Sequence, residues 1–545
     1  MKILNKIIIL VVLLTVGFAC SQEELIENPP HILAADVLYV DYAGFQAGIN
    51  GLYAQFRRER AGENWGSNND LLIDPALSGV DNCYGNHRSG WARIGNDWGT
   101  RNTPTEGHYR NFWNWLYATI NAANTIIARA ENPNVAWTEE QKNHTLAEAR
   151  HFRAWSYRHL TFMWGDVPLN LNESSGSNII TDWERTPVAQ VQDQMEADWL
   201  FAEQHLPDVH TTDGKISKAV AQHYLAELYL TKNDPNSAIT KAQAAINNSN
   251  YRLMTERFGV QAGVESGSAF SDLFVNGNTN RSEGNMEELW TVQCELEVIG
   301  GGYNIMRRWC RNRLYSGFRP WGKSNAVTFS VENGGRGIGR IGPTRFAMEL
   351  YEDGDARGSD EMWWTFGVLN NPDAVPDGHA VGDTFRFDWK GMDEFRGNYY
   401  WPSTAKWDYA NPNDLAGGSS YNDIIYLRLA DTYLLLAEAQ MKAGQLAAAA
   451  ETVNIVRRRS NAAEITSGDL DIDFILDERS RELFTEEHRR YTLLRNNKWF
   501  ERTQLHNKLA GPNITDRDKL FPIPQTVIDA NLTTPMEQNP GYTGG

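Results

Sequence analysis

The sequence predicts a mostly α-helical protein, a scaffold of paired helices with a long loop-rich region set into it. Three observations carry that expectation. Helix start and stop signals bracket successive apolar-periodic segments between residues 138 and 247. An alanine-bearing hairpin pattern occurs twice, at a constant offset of 211 residues. Between the two copies the chain turns rich in Gly, Asn and Trp, with only short extended runs such as Val327 to Val331.

A helix over Tyr109–Ala130 comes first. Thr138 with Gln141 then makes a capping-box pattern, Gly165 supplies a left-handed stop and Pro168 prevents continuation, so the next helix runs from about Thr138 to Trp164. Thr186-Pro187 places a cap and then a first-turn proline before a helix reaching about Leu206. Two more run from Ser217 to near Lys232 and from Asp234-Pro235 to near Asn247. In this last pair, Leu225-Ala226-Glu227-Leu228 is followed by Ala238. The pattern returns as Leu436-Ala437-Glu438-Ala439 followed by Ala449. Small alanines let paired helices approach closely, the tetratricopeptide-like manner of burying one hairpin on the next. The expected organisation is one body from 20 to 545. Its helical scaffold lies at about 110–250 and 421–505, and its loop-rich binding regions at about 62–109 and 251–420.

The N-terminus predicts the compartment. Lys2 and Lys6 precede an apolar run from Ile7 to Ala19 that is too short to span a bilayer, so residues 1–19 read as a signal peptide. A small residue directly before Cys20 is a lipobox arrangement, and Cys20 is the expected lipidation site. A formal net charge of −18 argues against nucleic acid and against adsorption to anionic lipid. Cys83, Cys294 and Cys310 lack ligand spacing and are expected to be buried fillers, with no metal and no disulfide framework.

No motif predicts catalysis. Gly337-Ile338-Gly339-Arg340-Ile341-Gly342 is formally GxGxxG, but Glu332 to Arg336 separate it from the preceding extended run and Pro343 follows it. It therefore reads as a loop and no nucleotide cofactor is expected. Asp353-Gly354-Asp355 departs from calcium-loop spacing and reads as a turn. The adjacent carboxylates Glu139-Glu140, Glu287-Glu288 and Glu486-Glu487 read as solvated faces, since a glycosidase pair must face across one cleft. An enzyme is not expected.

Several segments carry a resemblance. Ala147-Glu148-Ala149-Arg150 through Trp164-Gly165-Asp166-Val167-Pro168-Leu169, Ser217-Lys218-Ala219 through Tyr229, and Leu427-Arg428-Leu429-Ala430-Asp431 through Ala439 resemble, in order, motifs of the SusD/RagB family. So do Phe521-Pro522-Ile523-Pro524 and Gln538-Asn539-Pro540-Gly541-Tyr542. Glu478-Arg479 through His488-Arg489 resembles a further motif, with Glu487 in place of a glycine and Thr492 in place of an aspartate. The proline expected after Asn531 is also missing. Ser21-Gln22-Glu23-Glu24 resembles the surface-export signal of lipoproteins in glycan-scavenging Gram-negative bacteria. The resemblance implies a lipid-anchored outer-membrane protein at the cell surface that binds oligosaccharide. It would act as a lid on a TonB-dependent transporter of the SusC type. In the RagB branch the ligand is a peptide. It also implies an Asp-x-Arg turn, matched by Asp355 and Arg357.

The aromatic residues point to the ligand. A sugar ring has an apolar C–H face that matches a rigid aromatic ring, and a hydroxyl rim that matches Asn, Asp and Arg. Of the 19 tryptophans, Trp113, Trp155, Trp164 and Trp199 fall in helices and are expected in the core. Trp65, Trp91, Trp98, Trp309, Trp321, Trp363, Trp364, Trp389, Trp401 and Trp407 fall in loop-rich sequence. By resemblance, the loop with Trp91, Asn96, Trp98, Arg101 and Asn102 carries the ligand platform, opposed by mid-chain loops in which Trp309, Tyr315 and Trp321 are the expected contacts.

Overall fold

The computed structural model describes residues 35–62, 73–85, 91–175, 178, 180–210, 212–296, 298, 300–391, 399–417 and 420–542, and the side chains of Trp91 and Ala92 are not among them. The signal segment, Cys20 and Trp65 therefore lie outside the described residues.

Helix α1 spans Tyr42–Arg57, and the side chain of its N-cap Asp41 accepts from Gly44 N at 2.9 Å. α2 spans Gly107–Arg129 and α3 Glu139–Trp164. The α3 capping box forms in both directions, and Gly165 (φ +73°) stops the helix as expected. α4 spans Val188–His205. It starts later than expected, because Thr186 is drawn into a bridge with Val167 and Pro187 stays extended at the cap. The first-turn amide is capped from across the chain instead, with Val188 N donating to Asp166 Oδ1 at 2.8 Å. α5 (Lys218–Thr231) and α6 (Pro235–Ile246) form the first hairpin, with Asp234 capping Ser237 N.

α7 (Leu429–Lys442) and α8 (Leu446–Arg459) form the second hairpin. Far apart in sequence, the two hairpins are neighbours in space, because α6 packs directly on α7. Ala226, Ala238 and Ala242 meet Leu435, Leu436 and Ala439 in one buried cluster, while the equivalent Ala437 and Ala449 form the next cluster with Val453 and Ile475. The small side chains at the repeated positions are what let the layers close. The result is a stack α2–α3–α4–α5–α6–α7–α8 of tetratricopeptide-like type, extended by α9 (Ile472–Leu483), α10 (Arg489–Arg495) and α11 (Trp499–His506).

The described strands are short and pair two by two. The longest pair, Glu288–Val292 with Ile424–Arg428, is antiparallel, and its second strand leads straight into α7. It docks on the scaffold through Trp290, which stacks on Phe56 at 3.8 Å, and through Tyr426, which accepts from Trp155 Nε1 at 3.0 Å. All four helix tryptophans expected in the core are buried.

The same junction holds a buried ionic network. Arg428 donates to Glu287 at 2.9 Å and pairs with Glu482 and Glu486, Arg459 pairs with Glu287 and Glu482, and Arg357 bridges Asp355, Glu478 and Glu482. This corrects the reading of Glu287-Glu288 and Glu486-Glu487 as solvated faces. All four are buried, whereas Glu139 and Glu140 are exposed. Asp355 and Arg357 make the expected turn, with Arg357 Nη2 2.8 Å from the carboxylate.

The two departures in the Glu478–Thr492 motif compensate each other. The Glu487 carboxylate accepts from Arg479 Nε at 2.8 Å, from Arg489 Nη1 at 3.0 Å and from Thr492 Oγ1 at 2.9 Å. The negative charge expected at 492 is thus delivered from 487, and the threonine hydroxyl ties it down. The left-handed backbone falls on Thr485 (φ +60°) and not on Glu487, so no glycine is required there. For a β-branched residue this conformation costs about 1–3 kcal/mol. It is held by Trp407 Nε1 donating to Thr485 Oγ1 at 2.8 Å and by Arg60 donating to the Thr485 carbonyl at 3.3 Å. The C-terminal motif latches onto the end of α3. Asn539 Nδ2 donates to the carbonyls of Trp164 and Phe521 at 3.0 and 2.8 Å, and Tyr542 Oη donates to Leu520 O at 2.8 Å. Asn531, despite the missing proline, exchanges two hydrogen bonds with the Trp183 backbone.

Candidate ligand-binding face

The loop-rich region has a core of its own. Leu314, Phe318, Ala326, Val327, Leu369 and Phe387 form a separate buried cluster, with Val375, Phe385 and Tyr400 packed against it. A tight turn at Pro320–Gly322 projects Trp321 from this small core. The indole is 46% exposed, the one large exposed aromatic among the described residues. Its backbone sits at φ +46°, a region that bulky side chains rarely adopt and that clusters at ligand clamps. The ring is held from two sides: His379 stacks on it at 3.6 Å and 21°, and Phe385 meets it edge-on at 4.9 Å. His379 is in turn held by Asp383, 3.3 Å from its Nδ1. Tyr315, half-buried and next in sequence to Leu314 of this core, packs against Phe329 at 4.3 Å. A rigid, preoriented aromatic surface of this kind is suited to stacking.

Most of the other residues expected at the ligand are committed elsewhere. Trp98 is fully buried and helps cage the Arg490 guanidinium, which lies 5.0 Å from its ring, 4.3 Å from Trp499 and 4.6 Å from Phe521. Arg490 donates to the carbonyls of Asp518 and Lys519 and has no carboxylate within ion-pair distance among the described residues, so the ring faces take the counter-charge role. Burial presses its pKa down to about 10. Asn96 exchanges hydrogen bonds with the Gly85 backbone, and Asn102 donates to Asp518 and Tyr542 at 2.8 and 2.6 Å. Trp309 is buried beneath Arg340, whose guanidinium lies 5.1 Å from its ring. Arg101 remains at the surface, 3.7 Å from Asp97, and Trp91 opens a helical turn whose first side chain lies outside the described residues.

The reason is general to this region. A long loop segment must bury something, and here its tryptophans do so. Trp363, Trp401 and Trp407 are buried, each indole N–H donating inward to a neighbouring loop or helix end. The two loop regions do meet. Cys83–Gly85 pairs antiparallel with Ile341–Pro343, so the 91–102 loop is pinned beside the mid-chain loops even though its aromatic ring faces inward. His379 and Phe385 were not singled out in the sequence, and nothing in their local pattern distinguishes them.

The glycine-rich motif resolves as a loop followed by a strand, with close approach as the reason for the glycine. A Cβ on Gly337 would lie 2.3 Å from the Arg311 carbonyl. Among the described residues one buried trio, Glu59, His159 and His488, has metal-ligand geometry. Arg158 Nη1 faces His488 Nδ1 at 3.2 Å and can only donate. The Nε2 proton therefore points at Glu59, 2.7 Å away, where a metal would need a lone pair. Glu59 and His488 are a hydrogen-bonded pair, while His159 bonds through Nδ1 to Tyr491 Oη at 2.8 Å and keeps its Nε2 4.0 Å from Glu59.

Comparison with known proteins matches this architecture. The SusD family model fits residues 391–542, and a second model, described as starch-binding associating with outer membrane, fits residues 50–230. SusD-like protein P2 of Formosa agariphila is 28% identical over 98% of this chain and 99% of its own length. A SusD homologue from Bacteroides thetaiotaomicron superimposes with a TM-score of 0.72 at 19% identity, covering 93% of this chain and 98% of its own. Surface glycan-binding protein A from the same species, solved with laminarihexaose, gives 0.68 at 17% identity, covering 92% and 99%. With the interleaved helical hairpins, the Arg357, Arg428, Glu478 and Glu482 network and the C-terminal latch all built from the motif residues, this chain belongs to the SusD/RagB family.

Proposed function

We propose that this protein is a binding protein, not an enzyme, that captures oligosaccharide at the cell surface and passes it to a SusC-like TonB-dependent transporter. The observation that carries the reading is Trp321, exposed, backbone-strained and held by His379 and Phe385. Tyr315 and Arg101 supply further contacts from the same loop regions. A glycan ligand agrees with the similarity to a protein solved with laminarihexaose. The test is calorimetry on Trp321→Ala with soluble oligosaccharides. Losing one stacked ring removes about 1–3 kcal/mol of binding, roughly a five- to 150-fold weaker Kd, with the melting temperature almost unchanged. Unchanged affinity for a glycan that the wild type binds would move the site away from Trp321.

The lipobox at Cys20 and the outer-membrane description of the matched family model support a lipid anchor, and the family resemblance implies the transporter partner. Cys20→Ala is expected to release the protein from washed outer membranes, and the wild type extracted in detergent is expected to co-purify with a TonB-dependent barrel. Membrane retention of the variant at wild-type level, or recovery of the wild type alone, contradicts the corresponding half of this reading.

A further inference from the structure

The short helix Met306–Cys310 and the residues after it carry Arg307, Arg308, Arg311 and Arg313, a basic run in a chain of net charge −18. Two of these have internal roles. Arg307 donates to the carbonyls of Gly334 and Gly417 at 2.5 and 3.1 Å. Arg311 donates to Asn333 O at 2.7 Å and lies 3.5 Å from Asp408. Arg308 differs. Among the described residues no hydrogen bond or ion pair reaches its guanidinium, although its Nε is buried. The groups close enough to act on it are Arg336, a like charge, and the phenols of Tyr303 and Tyr315.

Arg336 is brought there by the glycine-rich loop. Ile338 N donates to Arg308 O at 2.9 Å and Arg340 N to Trp309 O at 2.7 Å, laying the loop along the short helix. The approach at Gly337 permits no side chain, and Gly339 (φ +60°) turns the chain back. Arg336 reaches only a carbonyl, that of Ala416 at 3.3 Å, and no carboxylate among the described residues. Among the described residues, two arginines without a carboxylate partner are thus held on adjoining segments near Tyr315, in the same loop-rich region as Trp321. An arginine that merely covers apolar surface with its stem keeps its head in water. Here the Arg308 head is half-buried next to a second cation, which is unfavourable until an anion arrives.

We propose that this face binds a charged saccharide, seating a sulfate ester or a uronic-acid carboxylate against Arg308 and Arg336 while neighbouring sugar rings pack on the aromatic residues. Both groups are planar or tripodal oxyanions that the guanidinium fork grips with two hydrogen bonds. The inference rests on the glycan-binding reading above and names the class of glycan.

The test is calorimetry with three hexasaccharides of equal length, one sulfated, one a uronate and one uncharged. They are titrated into wild type, Arg308→Gln, Arg336→Gln and Trp321→Ala. At least one charged saccharide is expected to bind about ten-fold or more tightly than the uncharged one, and which one does so identifies the group. Each glutamine variant is expected to lose about that factor for the charged ligand alone. The melting temperature is expected to be unchanged or raised for Arg308→Gln, whose guanidinium has no partner among the described residues, and nearly unchanged for Arg336→Gln, which gives up one 3.3 Å contact to the Ala416 carbonyl. Equal affinity for charged and uncharged saccharides, or glutamine variants that leave the preference intact, overturns the proposal. If uncharged saccharide still binds in a manner sensitive to Trp321→Ala, the glycan reading survives that failure. Absence of binding by all three overturns both.

Discussion

Trp98→Ala is expected to be strongly destabilising, by about 3–5 kcal/mol, with glycan affinity preserved wherever the variant folds. The ring is fully buried, stacks against Phe521 at 5.9 Å and meets Trp499 edge-on at 5.8 Å. Its loss opens a cavity and strips one wall from the cage around Arg490, a buried cation with no carboxylate to fall back on among the described residues. Chemical denaturation gives the stability and calorimetry the affinity. A variant with normal stability and weakened glycan binding would return Trp98 to the ligand face and contradict the cage. The contrast with Trp321→Ala is the informative part. Two loop tryptophans are expected to separate cleanly, one acting on stability and the other on affinity.

Glu482→Gln is expected to cost about 3–5 kcal/mol, because it leaves buried guanidinium groups short of negative charge. Burial by itself would raise the Glu482 pKa. Arg459, Arg428 and Arg357 outweigh it and hold the carboxyl well below the usual range. Asp360→Asn is the control, since its partner Arg386 is 60% exposed and the pair is exposed on both sides. That substitution is expected to cost under about 1 kcal/mol. The network also sets a pH dependence. Depressed carboxyl pKa values, such as that of Glu227 at about 2, contribute stability above the ordinary value of 4.5 and lose it as pH falls through the folded value. Buried histidines with lowered pKa, His151 at about 3 and His159 and His488 well below 6.5, add a loss that begins as pH falls below about 6.5. Melts between pH 4 and 8 are expected to show a decline from about pH 6.5 that steepens below about 4.5. A flat profile to pH 4 would mean that these groups are not held as described.

The chain's own pattern determined the helical scaffold. Capping boxes, a positive-φ glycine stop and repeated alanines act within one or two turns or at one helix contact, so α3, α5, α6 and the paired hairpins could be read locally. The family motifs were legible for the same reason, although their purpose was not. Only the fold revealed that Arg357, Arg428, Glu478 and Glu482 form one buried network, or that Glu487 carries the charge expected at 492.

The ligand face was the least legible part. A tryptophan in loop sequence carries no local mark that separates packing from presentation. Its fate depends on whether distant segments cover it. Trp98 is covered by Phe521, Trp499 and Arg490, more than 390 residues away, and Trp309 by Arg340, whereas no described residue covers the outer part of Trp321. The same holds for charge. Four neighbouring arginines look alike in sequence, and the tertiary contacts decided that Arg307 and Arg311 brace the loops while Arg308 has no partner among the described residues. Helix formation is settled by near neighbours along the chain, but burial and ion pairing are settled by whichever residues the completed fold brings alongside.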